Sequence, residues 1–124
     1  MTGDERAATL REGTKLYNAG RAKEAARLLR TISFPPEERQ SPTYLAWCCN
    51  LASALAETGE LSAATKLFEE AAGIHEERHE WRDLALVRFN LGNVTAMQAR
   101  STRRRFSTKA RAPRTRRQAT SPAS

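Results

Sequence analysis

Val and Ile are scarce in this sequence, and nowhere do apolar and polar residues alternate with a period of two. Both absences argue against a sheet, because a half-buried strand favours β-branched residues and strict alternation. An all-helical chain is the expectation. Long apolar runs are missing too. The longest, Tyr44 to Ala56, is interrupted by Asn50 and Ser53 and falls short of the ~20 residues a bilayer-spanning helix needs. The N-terminal MTGDERAATLREG has neither the basic start nor the apolar centre of a signal peptide. Cysteine is confined to Cys48 and Cys49. As neighbours on a helix their side chains diverge by about 100°, so they are not placed to pair with each other. Two lone thiols suit a reducing compartment, and a cytoplasmic protein without membrane association is expected. Signatures of catalysis are absent as well: no glycine-rich phosphate loop, nucleophile elbow or CxxC occurs. The chain is therefore expected to be non-enzymatic and to need no cofactor.

Charge is present, but unevenly. The 124 residues leave room for one small domain, and their net charge is +7. Residues 1–99 hold 12 Lys/Arg against 14 Asp/Glu, a net of −2, whereas residues 100–124 hold nine Lys/Arg and no acid. A near-neutral body is thus followed by a polycationic tail, and the two need separate explanations.

The body is organised around Leu51 to Ala71, LASALAETGELSAATKLFEEA. Two helical patterns meet there at a Thr58-Gly59 turn. Within them Leu51-Ala52, Leu55, Ala64, Phe68 and Ala71 recur at three, four or seven residues, small beside large, so that two helices can approach and interlock. Upstream, a first helix is expected from between Thr2 and Asp4 to about Tyr17, then a turn at Asn18-Ala19-Gly20 and a second helix from Ala22 to Ile32. Pro35 and Pro36 break the chain, and Ser41-Pro42 reads as N-cap and first residue of a third helix running to Glu57. A fourth helix is expected over Leu61 to Glu77, and a fifth from Arg82-Asp83 onward. Gly20 and Gly59 stand 39 residues apart, as do Ala25 and Ala64, and Asn50-Leu51 returns 40 residues later as Asn90-Leu91.

In this stretch the chain resembles a tetratricopeptide repeat (TPR). The family pattern is aromatic-x2-Leu-Gly-x2-Tyr, then Ala-x3-Phe, then Pro. It is met here by Cys48-x2-Leu51-Ala52-x2-Leu55, Gly59, Ala64-x3-Phe68 and Ala71, and more loosely by Gly13-x2-Leu16, Gly20 and Ala25-x3-Leu29. Thr9 and Glu12 depart from it, as terminal repeats often do. The period is longer than the ~34 residues of the basic repeat, as in the TPRs of bacterial regulatory and scaffold proteins. The resemblance spans residues 5–99. It implies an all-α solenoid of about two and a half antiparallel helix pairs over residues 1–99, binding a protein or peptide partner. The first helix of each pair would line a concave groove, presenting Ala46, Cys49, Asn50 and Ser53 from one unit and Leu86, Phe89, Asn90, Asn93 and Met97 from the next. In such repeats an Asn just before the Leu often hydrogen-bonds the backbone of a bound peptide, and Asn50 and Asn90 hold that slot. The cationic clamp of chaperone-binding TPRs is not recognisable.

Two competing chemistries are weighed against this. His75-Glu76-Glu77-Arg78-His79 satisfies H-E-x-x-H, in which two histidines one helical turn apart bind zinc and the Glu activates water. A third ligand is missing downstream, where nothing after Asp83 is acidic, His or Cys, and the polar HEERHEW offers no apolar seat. His75 and His79 are therefore read as a solvated helix end and no metal site is assigned. Helix-turn-helix DNA binding is disfavoured because the candidate recognition helices carry Ala, Leu and Glu instead of base-reading side chains.

The tail is the alternative source of function. Arg103, Arg104, Arg105, Lys109, Arg111, Arg114, Arg116 and Arg117 could contact phosphates of a nucleic acid, with only Phe106 available to stack. Residues 100–124 are too poor in apolar residues to offset the cost of ordering, so a disordered tail is expected. The fifth helix then lacks the second helix of its pair, leaving Leu84, Val87, Leu91 or Val94 partly exposed and favouring self-association or docking. The tail is either an interaction arm behind a capping helix or, the favoured reading, the product of a shifted reading frame in a longer gene. Arg100 to Thr108 can be back-translated so that another frame reads Leu-Asp-Glu-Ala-Ala-Leu-Leu-Asp, close to the missing helix. The gene's own codons decide this, and an early stop in that frame would end the idea.

Overall fold

The computed structural model describes residues 1–120, with side chains as far as residue 104. Five helices follow one another: α1 (Gly3–Asn18), α2 (Ala22–Leu29), α3 (Pro42–Glu57), α4 (Leu61–Glu77) and α5 (Trp81–Thr120), with a short 3-10 turn at Pro36–Glu38. The described residues contain no strand. None of their helices is long and apolar enough to cross a membrane.

Two helix starts carry side-chain caps. Thr2 accepts from the Glu5 amide at 3.1 Å while the Glu5 carboxylate accepts from the Thr2 amide at 2.9 Å. This reciprocal pair satisfies two amides that α1 would otherwise leave open. Those bonds, the backbone one foremost, hold the Glu5 carboxyl below its ordinary range. Ser41 caps α3 by accepting from the Tyr44 amide at 3.1 Å, with Pro42 in the first turn where its missing N–H costs nothing.

The ends of α1, α3 and α4 are built alike. After each cap residue the backbone turns left-handed, at Gly20 (φ 83°), Gly59 (φ 90°) and His79 (φ 58°). The next amide then reaches back five residues, from Arg21 to the Leu16 carbonyl, Glu60 to Leu55 and Glu80 to His75, each at 2.9 Å. This is the Schellman arrangement, which satisfies the helix's last carbonyls and turns the chain sharply. Only the third turn lacks glycine.

The longer connection between α2 and α3 is held by side chains. Phe34 meets Tyr44 edge-on at 5.0 Å and Trp47 at 5.3 Å, and the Trp47 indole donates to the Leu29 carbonyl at 2.8 Å. Arg6, itself buried, lies over the Phe34 ring and pairs with Glu38 of the 3-10 turn. That bond ties the start of α1 to the connection.

Each helix packs on the next, and α3 also touches both α1 and α5. Ala25, Leu29, Cys48, Leu51, Ala52, Leu55, Ala64, Phe68 and Ala71 form one buried cluster. Alanines there let backbones approach while Leu and Phe fill the space between them. Phe68 is only 1% exposed.

One expectation needs correction. Leu84, Val87 and Val94 are buried and Leu91 is half-buried. Their cover comes from α4, on which α5 packs extensively, with α3 adding further contact. A second helix of the pair is not needed to shield Leu84, Val87 and Val94, while Leu91 stays partly exposed as expected. Among the described residues, the large apolar side chains of α5 that are exposed are instead Trp81, Leu86, Phe89 and Met97. Helix α5 also runs through the expected boundary at residue 100, where Gln98, Ala99, Arg100 and Ser101 include no helix breaker. The expectation of disorder otherwise falls on residues whose side chains, from 105 on, lie outside those described.

Candidate partner face and the cleft at the α4–α5 corner

Seven of the nine residues singled out on α3 and α5 line two clefts, and Asn50 and Phe89 line neither. The first, about 330 Å³, opens where α3, α4 and α5 meet, and Ala46, Cys49 and Leu86 line it beside His75, Glu80 and Asp83. The second, about 140 Å³, is lined by Ser53 and Glu57 of α3, Asn90, Asn93 and Met97 of α5, and Tyr17 of α1. Phe89 lines neither of them and projects into solvent at 68% exposure, close to the 62% of Leu86.

Asn50 and Asn90 differ in availability. The Asn50 amide donates to Thr14 Oγ1 at 3.0 Å, and Thr14 in turn donates to the Leu10 carbonyl at 2.9 Å. Asn50 thereby ties α3 to α1. Asn90 makes no such bond and faces the second cleft beside Asn93.

Burial controls the titration of groups around these clefts. Cys48 has no exposed surface, and desolvation with the nearby Glu70 charge pushes its thiol up to about 12. Cys49 is raised first by burial and then by the charge of Asp83 across the first cleft. Neither thiol is an activated nucleophile, since activation requires a lowered pKa. Tyr17 is also raised, by burial first and then by Glu57, whose carboxylate accepts from its hydroxyl at 3.3 Å.

The histidines of the H-E-x-x-H stretch part company. Helix α4 stops at Glu77, and His79 sits beyond it in the left-handed turn, its ring 5.2 Å from that of Trp81. The two imidazoles do not occupy successive turns of one helix. His75 is not on a solvated end either: it is 8% exposed, and its Nδ1 shares a hydrogen bond with Glu80 Oε1 at 3.0 Å. Burial follows from the inward-facing run Phe68, Ala71, Ile74 and His75 of α4. Glu80 and Asp83 were not singled out by spacing. The available signal was the turn, because its hydrogen bond from the Glu80 amide to the His75 carbonyl folds Glu80 back over His75.

Of the basic residues assigned to the tail, Arg103 and Arg104 lie on an exposed part of α5, and Arg104 joins Met97, Arg100 and Ser101 around a further open cleft. Arg105, Lys109, Arg111, Arg114, Arg116 and Arg117 lie outside the residues whose side chains are described. Compared with family models, with curated proteins and with solved structures, the chain matches none.

Proposed function

We propose that this chain is a non-enzymatic, cytoplasmic protein-interaction module of the TPR type, in which about two and a half helix pairs over residues 1–99 form an α-solenoid. A peptide or partner helix would lie along the face shared by α3 and α5. The observation that carries this reading is the exposure of Leu86 and Phe89 beside the amides of Asn90 and Asn93. An amide side chain both donates and accepts, so it can bond a peptide unit whatever its sequence, while Leu86, Phe89 and Met97 offer apolar anchors. Because Asn50 is engaged by Thr14, Asn90 is the better candidate for backbone contact.

Selection of random peptides on the purified chain tests this. Selected peptides should lose at least about 10-fold in affinity on Asn90→Ala, Leu86→Ala or Phe89→Ala, as buried interface anchors do. Failure to select any peptide, or equal binding by all three variants, would overturn the reading. A second copy of the chain is the other occupant of this face, and dimerisation abolished by Phe89→Ala would replace the peptide with it.

A second reading draws on the nine Lys/Arg and absent acids of residues 100–124. Such a segment binds nucleic-acid phosphates with an affinity that falls steeply with salt. Filter binding at two salt concentrations separates it from the first, since the peptide contacts proposed for α3 and α5 are largely uncharged.

A further inference from the structure

The first cleft holds a donor set that neither reading uses. One imidazole nitrogen of His75, one carboxylate oxygen of Glu80 and one of Asp83 all lie within 4.8 Å of one another. They reach this corner by different routes: His75 from the last turn of α4, Glu80 from the Schellman turn, and Asp83 from the first turn of α5. We propose that His75, Glu80 and Asp83 form a binding site for a divalent transition-metal ion, of which zinc is the representative, clipping the end of α4 to the start of α5.

The chemistry of the donors favours this class of ion. Imidazole nitrogen suits zinc and its first-row neighbours, whereas calcium and magnesium prefer all-oxygen sites. In a tetrahedral zinc site with bonds of about 2.0–2.2 Å, donor atoms stand roughly 3.3–3.5 Å apart. The His75 Nδ1 to Glu80 Oε1 distance of 3.0 Å is close to that, and an oxygen of the exposed Asp83 carboxylate lies within 4.8 Å of the other two donors. His75 is held by burial, so one ligand is fixed before the ion arrives. The 330 Å³ cleft leaves room for water to complete the coordination. The charge balance also calls for a cation. Two carboxylates face the cleft against one guanidinium on its wall, that of Arg78, which leaves a net negative charge there. Cys49 lines the same cleft but is not part of the three-donor group.

This site is distinct from the H-E-x-x-H pair, because it uses His75 without His79. It predicts no hydrolysis. Its effect is on the α4–α5 corner, since an ion that binds only the folded chain stabilises it by mass action.

Tag-free full-length protein, stripped with a chelator and dialysed, is titrated with zinc by calorimetry, and its melting temperature is followed in parallel. One zinc per chain and a raised melting temperature are expected. Cobalt in place of zinc should give visible d–d absorption. Glu80→Gln and Asp83→Asn, both conservative changes at solvent-reaching positions, should each weaken zinc at least about 10-fold, the lower end of what even outer-shell losses cost. His79→Ala and Cys49→Ser should leave affinity within about threefold. Absence of saturable one-to-one binding, undiminished binding by Asp83→Asn, or loss of binding on His79→Ala would overturn the assignment. Circular dichroism of each variant shows that lost binding is not lost folding.

Discussion

Gly13 of α1 stands so close to Leu29 of α2 that a Cβ at position 13 would lie 2.5 Å from Leu29 Cδ2 and 2.7 Å from its Cγ. Leu29 is fully buried, so it cannot swing out into solvent to make room. Gly13→Ala should therefore destabilise the domain. Overpacking costs about 1–3 kcal/mol, only partly offset by the ~1 kcal/mol by which Ala outranks Gly in a helix. The two positions should also couple: Gly13→Ala combined with Leu29→Ala should cost less than the sum of the single changes. Denaturant midpoints of the three variants measure this, and strict additivity would mean the helices do not meet here.

Phe68 fills the centre of the cluster from α4 and is almost wholly buried. Phe68→Ala should cost about 3–5 kcal/mol through lost burial and the cavity left behind. Against a total stability of about 5–15 kcal/mol, that could unfold the domain at moderate temperature. A melting curve unchanged by the substitution would contradict the assigned core.

The three Schellman turns allow a matched comparison. Gly59 and His79 hold equivalent left-handed positions, yet only the first is a glycine. An L residue there costs roughly 1–2 kcal/mol, and glycine's extra chain freedom returns about 0.5–1 of it to the unfolded state. His79→Gly should then stabilise by a few tenths to about 1 kcal/mol, less whatever the Trp81 ring contact contributes. Gly59→Ala should destabilise by a similar amount. Thermal melts of the pair should move in opposite directions.

Alkaline pH should weaken the fold through its buried thiols and phenols. The Cys48 thiol lies at about 12 instead of its ordinary 9.0 because burial, then the Glu70 charge, disfavours the thiolate. Cys49, Tyr17 and Tyr44 are raised in the same direction, each by burial first. A raised folded pKa favours the protonated native state. The stability associated with Cys48 is therefore complete below about pH 9 and is lost as pH rises toward 12. Urea midpoints measured across that window should fall, and should fall less steeply for Cys48→Ala. An equal slope in both proteins would mean Cys48 is not the group responsible.

Much of the architecture was legible because it is local. The α3 start follows from Ser41 and Pro42 alone, and the two glycine turns follow from the need for a left-handed residue. Gly20 and Gly59, 39 residues apart, both stand where one helix ends and the next begins. Boundaries were less secure where tertiary contact intervenes. Helix α2 stops at Leu29 instead of Ile32, and amides of Thr31 and Ile32 reach back only three residues, to Leu28 and Leu29. The chain tightens there as Phe34 is drawn onto Tyr44 and Trp47.

The candidate sites were legible only in part. Spacing put Asn90, Asn93 and Met97 on one stripe of α5, and they do share a cleft with Ser53 of α3. Spacing could not tell that Asn50 is engaged by Thr14, since that bond crosses 36 residues of sequence. Nor could it place His75 in the interior, because the polar residues around it suggest a surface.

From the sequence alone came the all-helical class, the order of the five helices, the aromatic in the core and the division of charge at residue 100. These depend on propensity, capping, periodicity and composition, which act over a few residues or simply add along the chain. Tertiary structure decided which apolar residues of α5 are covered, how closely Gly13 approaches Leu29, and that His75, Glu80 and Asp83 converge at one corner. Each of those depends on the distance and rotation between helices, and helix rotation is settled by the whole packed interface at once, because dense cores admit few arrangements.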